Sequence, residues 1–289
     1  MPAGVGTSDV ESLTSYTVRL AERHGVSLRT VMAEVLTDVH PAFRTLDGPK
    51  PWSHMFATAL EADTARDDLR YLTLGYWAEV AAYNGTAPAL KEQQAYCPLC
   101  LEEMRRLGGP VYAPLLWSLV WVRSCPKHGI SLQRGCPHCS LSFGYHEYWR
   151  AIGYCNNCGK WLGQSDPRGM PRPIFTKRDL WDLAQMEHIV RIAPDVPHRP
   201  QSTPSLWRGL KEQYLQEWGK RHRFAKRLAA ASGVEARDAV SYWLSRGARP
   251  SMQRLLDISY GMKEPLLGLL APDYDPRALE YLTRIAVNV

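Results

Sequence analysis

The sequence predicts a mainly α-helical chain with small β-ribbon elements, and three observations predict it. Apolar residues recur at helical spacing on both sides of one cysteine-rich window. All seven cysteines lie in that window, between Cys97 and Cys158. Beyond it the helical pattern resumes, with a basic excess and a glycine break of the kind that joins two helices by a tight turn. The expected order is a helical bundle over residues 1–93, a cysteine-rich module over 94–165, a proline-rich linker holding one helix over 166–204, and a C-terminal helix-turn-helix domain over 205–289.

The first helix is expected within DVESLTSYTVRLAERHG, where Val10, Leu13, Thr17, Leu20 and Ala21 share one face. Asp9 can cap its start and Gly25 can end it. Ser27 then caps a second helix, SLRTVMAEVLTDVH, which stops before Pro41. From Ala65 to Tyr83 the same period continues through Leu69, Leu72, Tyr76 and Val80. Stripes of this kind meet in a bundle core.

Spacing gives the window its chemistry. Cys97 and Cys100, Cys136 and Cys139, and Cys155 and Cys158 are three C-x-x-C pairs; Cys125 is followed at the same spacing by His128. Zinc takes four thiolate or imidazole ligands in a tetrahedron, and a two-residue gap lets one tight turn present two of them. Eight ligands therefore predict two closed, structural zinc sites in a tandem zinc-finger module, one of three cysteines and a histidine, the other of four cysteines. Neighbouring pairs combine most simply, as Cys97, Cys100, Cys125 and His128, then Cys136, Cys139, Cys155 and Cys158. A cross-braced arrangement, first pair with third and second with fourth, is the alternative. WSLVWV, Trp117 to Val122, fits a short buried strand leading to Cys125.

A closed site has no open position at which to activate water. A zinc deaminase would need H-x-E followed by P-C-x-x-C. His146-Glu147 has the wrong spacing, and no pair here has proline immediately before its first cysteine. Disulfides are disfavoured because MPAGVGTSDV carries no apolar signal core, so a reducing cytoplasm is expected. The longest apolar stretch, Val111 to Val122, is too short to span a membrane and contains Pro114. A hydrophobic content of 45% suffices for real cores, and a net charge of +6 permits an acidic partner.

Prolines 167, 171, 173, 194, 197, 200 and 204 mark the linker, with a helix expected from Lys177 to Arg191. Beyond it, one helix ends at Ser232-Gly233-Val234, a second runs from about Ala236 to Ser245, and Ser251 caps a third through Leu255, Leu256 and Ile258. This resembles the lambda-repressor-like helix-turn-helix family, with Val240, Trp243, Leu244, Pro250 and Leu255 at its buried places. The turn between Val234 and Val240 is one residue longer than usual for that family. Lys220, Arg221, Arg223, Lys226 and Arg227 suit phosphate contacts; Arg237, Ser241, Tyr242, Arg246 and Arg249 are the candidates for the groove. A solvated basic face of a protein-binding domain would look the same.

The runs AYCPLCLEE, LLWSLVWVRSCPKHGISL, RGCPHCS and GYCNNCG together resemble the TniQ/TnsD family of transposon target-selection proteins. The opening ESLTSYTVRLAERHGVS resembles that family's N-terminal motif, an acidic residue and Ser-Leu ahead of a helix ending in Arg-Leu-Ala. The resemblance spans roughly residues 8–163. It implies an adaptor, not a recombinase, that marks target DNA directly or through a CRISPR RNA-guided, Cascade-like complex. Such adaptors recruit an AAA+ ATPase of the TnsC/TniB type, which brings the transposase. It also implies that the same eight residues bind zinc. The N-terminal helices and zinc module would meet the ATPase or a second subunit, a homodimer included. A zinc-containing helix-turn-helix transcription regulator is the alternative function. An enzyme is the weakest reading, since no Gly-rich phosphate loop, nucleophile elbow or carboxylate-metal motif stands out.

Overall fold

The computed structural model describes residues 1–35, 46–78, 89–142, 150–195, 226, 229–230 and 250–270. Among these the chain is mainly helical, and its β structure is limited to isolated bridges.

Helix α1 (Leu13–Arg23) starts at Ser12, whose side chain accepts from Ser15 N–H. Asp9, the cap expected from the sequence, lies outside the helix. Glu11 takes the intervening space. Its side chain is fully buried and accepts from Ser15 Oγ at 2.8 Å and Arg19 Nη1 at 3.1 Å. Ser12 N–H donates to Ala113 O, and Ala113 N–H donates to Ser15 Oγ. The start of α1 is thus tied to the chain that enters the metal region. Gly25, at φ 65°, ends the helix as expected.

Helix α2 (Leu28–Val35) is capped by Ser27, as the sequence predicts. Its expected end at His40 lies outside the described residues. Helix α3 (Pro51–Thr64), which the sequence reading missed, opens on a proline at its first position and ends at Ala65 in the left-handed region. The helical expectation over Ala65 to Tyr83 is corrected. Two 3-10 turns, Leu69–Leu72 and Leu74–Trp77, stand there up to Ala78. Thr73 separates them in extended conformation; its hydroxyl donates to Leu46 O and accepts from Gly75 N–H. The apolar residues still point inward, because a 3-10 turn repeats every three residues. Gly75 is required by close approach: a Cβ there would lie 2.7 Å from His54 N on α3.

Helix α4 (Pro98–Arg106) begins at the first cysteine pair, and a single turn, α5 (Leu115–Ser118), follows it. The strand expected from Trp117 to Val122 is therefore corrected. Residues 117–118 close the α5 turn, and only Leu119 bridges, to Leu90. Lys91 fixes this corner, its backbone N–H donating to Ser118 O and its buried Nζ to Trp117 O at 2.6 Å.

Helix α6 (Lys177–Ile192) realises the helix expected inside the proline-rich stretch, opened by a Thr176–Asp179 capping box. It is no mere spacer. Met186 and Ile189 are fully buried, and the helix packs on α5. It also packs on α7 (Met252–Met262) and α8 (Leu266–Leu270). Ser251 caps α7 as expected. Trp181 Nε1 donates to Ser259 Oγ, and Leu266 N–H donates to Gln185 Oε1 at 2.7 Å. One apolar cluster runs from Val10 through the cysteines to Leu267. Of the helix-turn-helix domain expected over 205–289, residues 226, 229–230 and 250–270 are described; the second helix expected from about Ala236 to Ser245 lies outside them.

Candidate metal centres

The first site is built by a helix start and a turn. Cys97 is the N-cap of α4 and Cys100 lies in its first turn, so this pair is not the free-standing knuckle the spacing suggests. Pro98 at the first helical position has no N–H to leave unpaired. Cys125 and His128 face it from a tight turn in which Gly129 N–H donates to Cys125 O and Cys125 N–H to Ile130 O. Cys97 Sγ, Cys100 Sγ and Cys125 Sγ lie 3.4, 3.3 and 3.5 Å from His128 Nδ1, and Cys100 and Cys125 sulfurs are 3.5 Å apart. The other ring nitrogen, Nε2, is 3.0 Å from Glu103 Oε1.

The second site repeats the turn twice. Ser140 N–H donates to Cys136 O and Cys136 N–H to Leu141 O; Gly159 N–H donates to Cys155 O and Cys155 N–H to Lys160 O. The residue after each second ligand turns left-handed: Gly129 at φ 64°, Ser140 at 60° and Gly159 at 69°. Ser140 is the costly member, because its Cβ crowds the backbone there. Backbone N–H groups of His138 and Cys158 point at the sulfurs of Cys136 and Cys155. Cys136 and Cys158 sulfurs are 3.7 Å apart, as are those of Cys139 and Cys155.

Both sets gather all four ligand atoms within 4.8 Å of one another. A zinc tetrahedron with Zn–S near 2.3 Å and Zn–N near 2.05 Å has edges of about 3.8 Å between sulfurs and about 3.6 Å between sulfur and nitrogen. The observed spacings fit both edges, so the two clusters could hold two zinc ions. The tandem grouping is the one the structure brings together, and the cross-braced one is not.

A TniQ family model matches residues 2–132. The chain carries a TniQ domain. A search of curated proteins finds no match. The TniQ domain contains the Glu11–Ser12–Leu13 start of α1 and all of the cysteine–histidine cluster; the four-cysteine cluster and α6 to α8 follow it in the chain. Such a domain marks a transposition-associated protein.

Trp161 joins the second site to the TniQ domain. Its Nε1 donates to Glu102 Oε2 at 2.8 Å, Arg105 stacks over its ring at 5.1 Å, and Tyr154 meets it edge-on. Glu102 and Arg105 both belong to α4, which carries two ligands of the first site. Gly153 and Gly163 make room for the ring: a Cβ on either would lie 2.4 Å from it.

The thiols of each cluster are electrostatically unequal. A hydrogen bond shared with Cys125 pushes the Cys100 thiol far up; from the other side, Cys100 and Cys97 donating to Cys125 pull that thiol down to about 2. In the second cluster the Leu141 backbone N–H draws Cys139 down to about 6, while burial pushes Cys136 up to about 12. Cysteine binds a metal as thiolate, so zinc entering either cluster would release thiol protons and bind more tightly as pH rises.

Of the candidate nucleic-acid residues, Lys226 alone is described, exposed on a helical residue. Lys220, Arg221, Arg223, Arg227, Arg237, Ser241, Tyr242, Arg246 and Arg249 lie outside the described residues. Sequence reasoning missed Glu102, Glu103 and Trp161. The signal for the two glutamates was the helix that starts at Cys97, which puts them two and three residues past Cys100.

Proposed function

We propose that this chain is a non-catalytic target-selection adaptor in DNA transposition. It links target DNA, or an RNA-guided targeting complex, to an AAA+ ATPase of the TnsC/TniB type, and through it to the transposase. The observation that carries this reading is the TniQ match over residues 2–132, which takes in the complete cysteine–histidine cluster. Two further features support it. Each cluster supplies four protein ligands, which leaves a bound zinc no open position for water, as a structural site requires. Residues 201–250 carry ten Lys and Arg against four Asp and Glu, a balance suited to phosphate contacts. The eight Cys and His residues are proposed as the ligands of two zinc ions. Residues 205–289 are proposed as the DNA-facing domain and the TniQ domain as the ATPase-facing one. The cytoplasm is proposed as the place of action; no helix among the described residues is long and apolar enough to cross a membrane.

The test is assembly on DNA. The zinc-loaded chain is mixed with duplex DNA and a TnsC/TniB-type ATPase, and retention of the ATPase on the DNA is measured with and without the chain. Retention that depends on the chain is expected. DNA binding with no effect on the ATPase would overturn the adaptor reading in favour of a transcription regulator.

A further inference from the structure

We propose that Glu103 is a positioning residue for the first metal site, holding His128 in the tautomer that presents Nδ1 to zinc. This rests on the zinc reading of Cys97, Cys100, Cys125 and His128, and not on the adaptor role. A neutral imidazole carries one proton, and only the bare nitrogen can ligate. In this site Nδ1 faces the three sulfurs, and Nε2 lies 3.0 Å from Glu103 Oε1. A carboxylate there fixes the proton on Nε2, so Nδ1 keeps its lone pair for the metal. Partners of this kind also set the ring's orientation and raise its basicity.

The carboxylate is itself held. Lys127 Nζ donates to Glu103 Oε2 at 2.5 Å, so Glu103 spans two adjacent residues of the Cys125–His128 turn. Glu103 stands three residues after Cys100 on α4, and Cys100 three after Cys97. That spacing puts them on neighbouring turns of one helix face. One helix therefore provides two sulfur ligands from its start and clamps the opposing histidine from its next turn. The four-cysteine site has no histidine ligand and so no use for such a group; it serves as an internal control.

Two measurements on the full chain test this. Zinc affinity is read by competition with a chromophoric chelator, for the wild type, Glu103→Ala and Glu103→Gln. Glu103→Ala is expected to weaken the cysteine–histidine site about 10- to 100-fold and the four-cysteine site, coupled to it only through Trp161, far less. Glu103→Gln retains an amide oxygen that accepts from Nε2–H and should recover most of the loss. In the second measurement the wild-type chain is loaded with cadmium-113 and histidine is labelled with nitrogen-15. Metal coupling to Nδ1 of His128, with a proton on Nε2, is expected. This readout needs no variant, so it stands even if Glu103→Ala fails to fold. Ligation through Nε2, or a Glu103→Ala affinity within twofold of wild type, would overturn the positioning role. If the wild type bound no metal through Cys97, Cys100, Cys125 and His128, the zinc reading would fall as well, with the adaptor reading tested separately on DNA.

Discussion

Glu11 shows how one residue joins a motif to the fold. It is fully buried, and it satisfies Ala3 N–H, Ser15 Oγ and Arg19 together. Burial raises its pKa, and Arg19 and Ser15 oppose that rise. Glu11 is buried while Arg19 is partly exposed, so Glu11→Ala, which chiefly leaves Ser15 Oγ and Ala3 N–H without their acceptor, should cost about 1–3 kcal/mol, read from urea unfolding. A loss below about 1 kcal/mol would mean that both groups find another acceptor at little cost. The motif's letters were visible in the sequence. Its reason was not, because the partners of Ser12 and Ser15 include Ala113, about a hundred residues away along the chain. Gly153 is a second case. It sits at φ 84°, and a Cβ would enter the Trp161 ring. Gly153→Ala should destabilise by about 2–4 kcal/mol, combining left-handed strain with overpacking. Thermal melts read that loss, and an unchanged melting temperature would show that Trp161 swings aside freely.

Among the elements, local signals were legible wherever local chemistry decides. Ser27 and Ser251 cap the helices they were expected to cap, and the Lys177–Arg191 expectation differs from α6 by one residue. Periodicity misled where tertiary contacts decide. Residues 69–77 bury the expected apolar side chains on 3-10 turns, because Thr73 is drawn out of helical geometry by Leu46 O. Trp117 to Val122 is apolar enough for a strand but has no neighbouring strand to pair with among the described residues. Both cysteine sets follow the tandem grouping, since consecutive ligand pairs lie close in the chain. Glu103 stayed hidden because its contact crosses from α4 to the Cys125–His128 turn. Helix α6 carries a pH-dependent element of its own. His188 is buried, neither ring nitrogen has a hydrogen-bond partner among the described residues, and burial lowers its pKa to about 4. The unfolded chain takes up a proton near pH 6.5 that the folded chain refuses until about pH 4. Stability from this group is therefore complete above pH 6.5 and is lost as pH falls toward 4. Between about pH 7 and pH 5 the wild type should lose about 2 kcal/mol more than His188→Leu, measured by urea unfolding. Equal losses would show that His188 is protonated in the fold.

At the scale of the whole molecule, the ligand clusters and the apolar core are one structure: Cys97, Cys100, Cys125, Cys136 and Cys155 all belong to the core that reaches α7 and α8. Trp161 and α4 connect the two clusters. Removing metal from either should therefore loosen more than its own turns. The basic segment is proposed to add a separate, sequence-independent contribution to DNA binding. Replacing Arg221, Arg223 and Arg227 by alanine should weaken binding to all duplex sequences alike and flatten its salt dependence. A loss confined to one preferred sequence would make these residues readers of bases. Both clusters are proposed as closed zinc sites. Native mass spectrometry of the purified chain tests this proposal most directly: two zinc ions per wild-type chain, and loss of the second site's zinc with unfolding of its module in Cys136→Ser, are the predicted result. Wild-type chains that fold fully without zinc, or a Cys136→Ser chain that still holds two ions, would contradict it.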